Sequence, residues 1–145
     1  MAFKAGKRFI DQDLNRSFPG KKDGNHEQKL AFNIVKKLKR YDIVFDIHST
    51  KSELKDALIV TKLNMHTKEI IKKINPKYLL HMKITGQKAL ISHARIGIAF
   101  EYGKEKDMRV VNKIVSDIYK AVQVGKREAK RTEYFEINSS YPKHN

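Results

Sequence analysis

Three short apolar runs set the terms for this chain: Ile43-Val44-Phe45-Asp46-Ile47-His48, Ala57-Leu58-Ile59-Val60-Thr61 and Ile96-Gly97-Ile98-Ala99-Phe100-Glu101. Each is short, rich in β-branched and aromatic side chains, and bounded by polar or glycine residues, which predicts strands. Residues 43–47 suit a strand buried on both faces. Helical spacing fills the gaps. Leu30, Ala31, Ile34, Val35 and Leu38 define a buried stripe for a helix over 26–40, capped by Asn25 or Asp23. Ile70, Ile71 and Ile74 define a shorter helix capped by Asn64 or Thr67 and stopped at Asn75-Pro76. Asp107 caps a third helix to about residue 124, with Val110, Val111, Ile114, Val115, Ile118, Ala121 and Val122 as its inner stripe. Residues 7–10 read as a further short strand and 78–84 as extended, whereas 86–91 have no single pattern. Residues 131–137 alternate like a strand whose partners are not in the chain. The order of elements predicts an α/β fold, a central mixed, largely parallel sheet flanked by helices.

At 145 residues with 40% apolar content, the chain can bury one core of useful size. It has no cysteine, which excludes disulfides, thiolate metal sites and thiol nucleophiles. The first residues carry no long apolar segment and no run reaches membrane-spanning length, so a soluble, cytoplasmic protein with no membrane partner is expected. The formal charge of +15 calls for anionic partners. Yet Lys36, Lys37, Lys39, Arg40, Lys72 and Lys73 are spread over outer helix faces without interleaved aromatics. That pattern argues against nucleic acid. A basic RNA- or anion-binding module remains the alternative from a different class.

The chemistry sits at three places. Arg8-Phe9-Ile10-Asp11-Gln12-Asp13-Leu14-Asn15-Arg16-Ser17-Phe18-Pro19-Gly20 packs two guanidinium groups, two carboxylates and an amide into one loop closed by a Pro-Gly turn. Guanidinium groups offer paired donors and a permanent charge, the natural grip on a carboxylate. The plainer reading is a solvated turn with one internal Asp–Arg pair. His48 ends the first strong strand, with Asp46 on the same side by period-two geometry. A histidine there is either a hydrogen-bonded core residue or a metal ligand oriented by its carboxylate. Glu101 ends the third strong strand before Gly103, where it reads as a general base in a cleft or as a rim carboxylate in a salt bridge. His26-Glu27 has no second histidine one turn on, so Glu27 reads as a helix-start glutamate interacting with free N–H groups. His81 reads as a core residue.

Taken together, the block from Arg8 to Gly20, Asp46-Ile47-His48-Ser49-Thr50 and Phe100-Glu101-Tyr102-Gly103 resemble the succinylglutamate desuccinylase/aspartoacylase family, of the zinc-carboxypeptidase-like superfamily. The resemblance implies that fold, truncated at the N-terminus, with residues 1–125 as a partial catalytic α/β domain. Residues 126–145 would be a linker and the start of a missing C-terminal β domain. It implies His48 as a zinc ligand, Arg8 as the oxyanion-stabilising arginine, Asn15 and Arg16 as the substrate-carboxylate pair, and Glu101 as the general base. The implied reaction is zinc-dependent cleavage of a small anionic N-acyl amino acid into a carboxylate and an amino acid. A zinc carboxypeptidase-like peptidase is the alternative within the superfamily. The family's His-x-x-Glu ligand segment has no counterpart ahead of Arg8. The resemblance therefore implies an incomplete zinc site and an inactive fragment: a truncated gene, a split gene with a separately encoded N-terminal segment as partner, or a degenerate relative.

Overall fold

The computed structural model describes residues 6–49, 56–83, 88–103, 107–123 and 132–137. Helices α1 (His26–Leu38), α2 (Met65–Ile74) and α3 (Met108–Val122) alternate with strands β1 (Ile43–His48), β2 (Ala57–Val60), β3 (Tyr78–Met82), β4 (Ile96–Glu101) and β5 (Glu133–Ile137). The helix starts follow the side chains. Asn25 and Gln28 form a reciprocal capping box on α1; Asn64 accepts from Thr67 N at α2; Asp107 accepts from Arg109 N at α3. Asn75, at φ 55°, closes α2 in the left-handed conformation ahead of Pro76.

The strands form one sheet in the order β1-β4-β2-β3-β5. The β1–β4, β2–β3 and β3–β5 pairs are parallel, and only β2–β4 is antiparallel. Leu58, Val60, Leu79, Ile96, Ile98, Phe100 and Tyr102 on one face pack with Ile70, Ile71 and Ile74 of α2 and with Ile114 and Ala121 of α3. The 3-10 turn Leu90–His93 lies on the other face, and α1 packs on that turn. Gly97 makes this approach possible: a Cβ there would stand 2.2 Å from Ile91 O.

Several expectations need correction. Residues 7–10 form no strand. β1 is not buried on both faces; among the described residues it is an edge strand paired only with β4, and Ile47 is 55% exposed. β5 does have partners in the chain, because it extends the sheet alongside β3 from Tyr78↔Glu133 to Met82↔Ile137. On α3 the buried or half-buried positions are Val110, Lys113, Ile114, Asp117, Ile118, Lys120 and Ala121, whereas Val111, Val115 and Val122 face outward. The charged stretch 126–130, the break at Thr50-Lys51 and residues 86–87 lie outside the described residues.

Two buried carboxylates hold the parts together. Asp117 of α3 is fully buried and accepts from Tyr102 Oη at 2.8 Å, from Lys113 Nζ at 2.9 Å and from Lys120 Nζ. Lys113 also pairs with Asp56 at 3.2 Å and sits over the Tyr102 ring. Burial pushes the Asp117 carboxyl up, but Lys120, Lys113 and Tyr102 outweigh it and hold the group below its ordinary value. On the other side, Glu27 accepts from the backbone N–H groups of Ile10 at 2.7 Å, Asp11 at 3.0 Å and Gln12 at 3.3 Å. Burial raises the Glu27 pKa, but these donors together with its own N–H bring it below the ordinary 4.5.

Replacing Asp117 with Ala takes away the acceptor shared by two ammonium groups and a phenol, of which Lys113 keeps its pair with Asp56. The expected cost is near the lower end of ~3–5 kcal/mol, because both lysines reach solvent; urea denaturation measures it. Glu27 has a lowered folded pKa, so its contribution is present above pH 4.5 and lost as pH falls through the folded value. Amide exchange at Ile10, Asp11 and Gln12 is expected to be protected at pH 7 and to lose protection toward pH 3. In Glu27→Gln, protection should be low at both. Equal protection in the variant at pH 7 would refute the clamp.

Candidate functional site

The parallel register of β1 and β4 places His48 directly opposite Glu101, at the carboxyl ends of both strands. Side chains of parallel partners point the same way, so Asp46, His48, Ala99 and Glu101 share the face that carries the 3-10 turn Leu90–His93. Ala99 and Gly97 are the small residues of β4 on that face, which keeps bulk away from the polar strand ends. β4 is also where pairing changes from parallel to antiparallel. The carboxyl ends of the strands, where His48 and Glu101 stand, are the edge at which open α/β sheets bind ligands.

His48 Nε2 lies 2.9 Å from Asp46 Oδ2. The Asp46 hydrogen bond is the largest influence on His48 and raises its pKa above the ordinary value. Burial works against this, Asp46 and Glu101 charges add to it, and the Arg8 charge lowers it. The influence of Arg8 brings the loop's guanidinium within electrostatic reach of the strand ends.

The loop that carries Arg8 is a shaped element. Asp13 caps the 3-10 turn Leu14–Arg16 by accepting from Asn15 N at 2.9 Å, and it pairs with Arg8 Nη2 at 3.2 Å. The internal Asp–Arg pair of the plainer reading is therefore present. Gln12 Nε2 donates to Ser17 Oγ at 2.7 Å, and Ser17 Oγ donates to Asp13 O at 3.0 Å. Phe18 is buried beneath the loop and stacks at 6.2 Å with His93. Gly20, at φ 86°, lies so close to α1 that a Cβ would stand 2.1 Å from Phe32 N. Together with the Glu27 clamp and a bond from His26 N to Asp11 Oδ2, these contacts fix the loop on α1. Asn15 and Arg16 sit in its single 3-10 turn, and Arg16 Nη1 donates to Asn15 O at 3.3 Å.

Sequence reasoning placed Glu27 at the start of α1 but missed its structural task. The N–H groups it serves belong mainly to the loop 15 to 17 residues earlier, a pairing that local spacing does not reveal. His81 packs against Tyr134 and Glu136 of β5 and stays apart from the His48 cluster in the fold. The donor set for zinc does not close: among the described residues no group of three or more His, Asp or Glu side chains is arranged to hold a metal ion. A catalytic zinc ordinarily takes three protein ligands. Among the described residues, no helix is long and apolar enough to cross a membrane.

Comparison with known proteins agrees with this fold. A comparison with curated protein sequences gave no match. Among solved structures, the succinylglutamate desuccinylase/aspartoacylase of Rhodobacter sphaeroides superposes with a TM-score of 0.70 at 16% identity, over 94% of this chain and 50% of its own. The succinylglutamate desuccinylase of Chromobacterium violaceum gives 0.71 at 13%, over 97% and 56%. Murine aminoacylase 3 gives 0.59 at 23%, over 83% and 47%. These likenesses establish the fold, and the chain spans about half the length of these proteins. Residues 1–124 match the succinylglutamate desuccinylase/aspartoacylase catalytic domain, and the chain belongs to that family.

Proposed function

We propose that this chain carries part of an amidohydrolase site that cleaves a small anionic N-acyl amino acid into a carboxylate and a free amino acid. The observation that carries the reading is the pairing of His48 with Glu101 at two adjacent strand ends, with Asp46 hydrogen-bonded to the imidazole. In this reading Glu101 takes a proton from the attacking water and returns it to the leaving amine. Arg8 steadies the oxyanion that develops on the scissile carbonyl. Asn15 and Arg16 hold the substrate carboxylate, the amide giving direction and the guanidinium paired donors. Zinc belongs to the proposal through family likeness only. His48, oriented by Asp46, is the imidazole that would hold it. Residues 1–125 are the proposed catalytic unit, and Glu133–Ile137 adds an edge strand to its sheet. The cytoplasm is the proposed compartment.

The 145-residue chain is expected to bind zinc weakly in calorimetric titration and to release no amine from N-acetyl or N-succinyl amino acids. It should still take up the acyl amino acid. Arg16→Ala is expected to weaken that binding about tenfold, the usual loss for a hydrogen bond to a charged group. Glu101→Gln should leave the binding unchanged, since its task is proton transfer. Both effects can be read from chemical-shift titrations. Stoichiometric micromolar zinc binding with turnover would show that the chain completes its own metal site. Binding indifferent to Arg16 would remove the substrate assignment.

A further inference from the structure

Glu27 is the only acid on α1, and it is buried while Lys29, Lys36 and Lys37 of the same helix are exposed. Only 4% exposed, it makes no ion pair among the described residues. Its two oxygens instead take three successive backbone N–H groups, Ile10 on Oε1 and Asp11 and Gln12 on Oε2. Successive N–H groups converging on one point form a concave seat for an anion. Here the occupant belongs to the chain itself.

Both ends of that seat lead to groups of the proposed site. Arg8 stands two residues before Ile10. Asp13 follows Gln12 and uses both of its oxygens: Oδ1 accepts from Asn15 N at 2.9 Å, and Oδ2 pairs with Arg8 Nη2 at 3.2 Å. One carboxylate thus joins Arg8 to the turn that bears Asn15 and Arg16, and its backbone follows directly on the seated segment. Asp11 accepts from His26 N at 2.9 Å, so loop and helix grip each other reciprocally.

We propose that Glu27 is a positioning residue for ligand binding, a tethered carboxylate that fills an anion seat in the loop backbone and so sets the spacing between Arg8 and the Asn15–Arg16 turn. Its value to a ligand rests on the roles proposed above for Arg8, Asn15 and Arg16, whereas the seat stands on geometry alone. Filling the seat also bears on specificity. With Glu27 in place, a ligand carboxylate cannot dock on the N–H groups of residues 10–12. It is left to the guanidinium and amide groups, whose paired donors fit its shape. Without Glu27 the seat becomes a carboxylate site of its own.

Glu27→Ala removes the outline of one acetate ion, so acetate is the probe. In this variant the Asn15 amide resonance is expected to move and the amides of residues 10–12 to lose protection from exchange. Acetate, but not chloride at the same ionic strength, should return both toward their values in the parent chain. It should also restore uptake of an N-acetyl amino acid, measured against the parent in the same acetate. A general loss of packing would not be mended by one small anion. Glu27→Gln keeps the side-chain volume and fills the seat without charge, and it carries the test if the alanine variant does not fold. It is expected to bind the N-acetyl amino acid about tenfold more weakly than the parent and to gain nothing from acetate. Acetate that leaves Asn15 and residues 10–12 of Glu27→Ala unchanged overturns the proposal. So does a Glu27→Gln chain that binds the ligand as tightly as the parent. A parent chain that takes up no acyl amino acid, with the acetate rescue intact, refutes the functional reading and upholds the seat.

Discussion

Everything polar at this site depends on the parallel pairing of β1 with β4. Because the register sets His48 against Glu101, every second residue before them shares their face: Asp46 and Val44 on one strand, Ala99 and Gly97 on the other. Sliding β1 by one residue would turn Asp46 and His48 into the apolar core and put Phe45 and Ile47 in their place. The cost of burying those polar groups is what holds the register. The same pairing gives the imidazole a carboxylate two residues away on its own strand and another across the ladder.

The two ends of that pairing are braced by acids with no part in the proposed chemistry. Asp117 lies behind the sheet, where it holds Tyr102, the residue that follows Glu101, and shares Lys113 with Asp56, the residue that precedes the Glu101 partner Ala57. The strand end bearing Glu101 is thus tied to α3 from the face opposite its carboxylate. Glu27 does the corresponding work in front, holding the start of the Arg8 loop by its backbone. Backbone donors leave the loop's own side chains available, so Asp13 can cap its turn and pair with Arg8 at once. Neither acid is free to titrate casually, since partners hold both below their ordinary values.

What the sequence made legible was local. Asn25, Asn64 and Asp107 announced helix starts because capping is settled within a few residues. The apolar runs announced β1, β2 and β4, and strand period put Asp46 beside His48. What stayed hidden required knowing which elements meet. A continuous apolar run looks the same in an edge strand as in a central one, so β1 read as buried on both sides. β5 alternates in a way that shows a strand but not its partner, and β3 lies about 50 residues earlier. Glu27 stood at a helix start, where a glutamate ordinarily serves its own helix. Its role depends on a loop brought back by tertiary folding.

Helix α3 shows the same limit in its sharpest form, because half of its apolar residues face outward. Its apolar residues span about half of the helix circumference at 100° per residue. A sheet can cover only part of so wide an arc. Amphipathic periodicity marks the whole arc as inner, because it cannot know where the sheet ends. Asp117 decides the matter. Buried among Val110, Ile114, Ile118 and Ala121, it draws Lys113 and Lys120 to the same side as Tyr102, and that rotation commits the helix. With Asp117 inward, Val111, Val115 and Val122 must face out, and the lysines that would have solvated them are already engaged. The buried acid that steadies the strand end of Glu101 is therefore also the reason an apolar strip lies exposed on the opposite side of the helix.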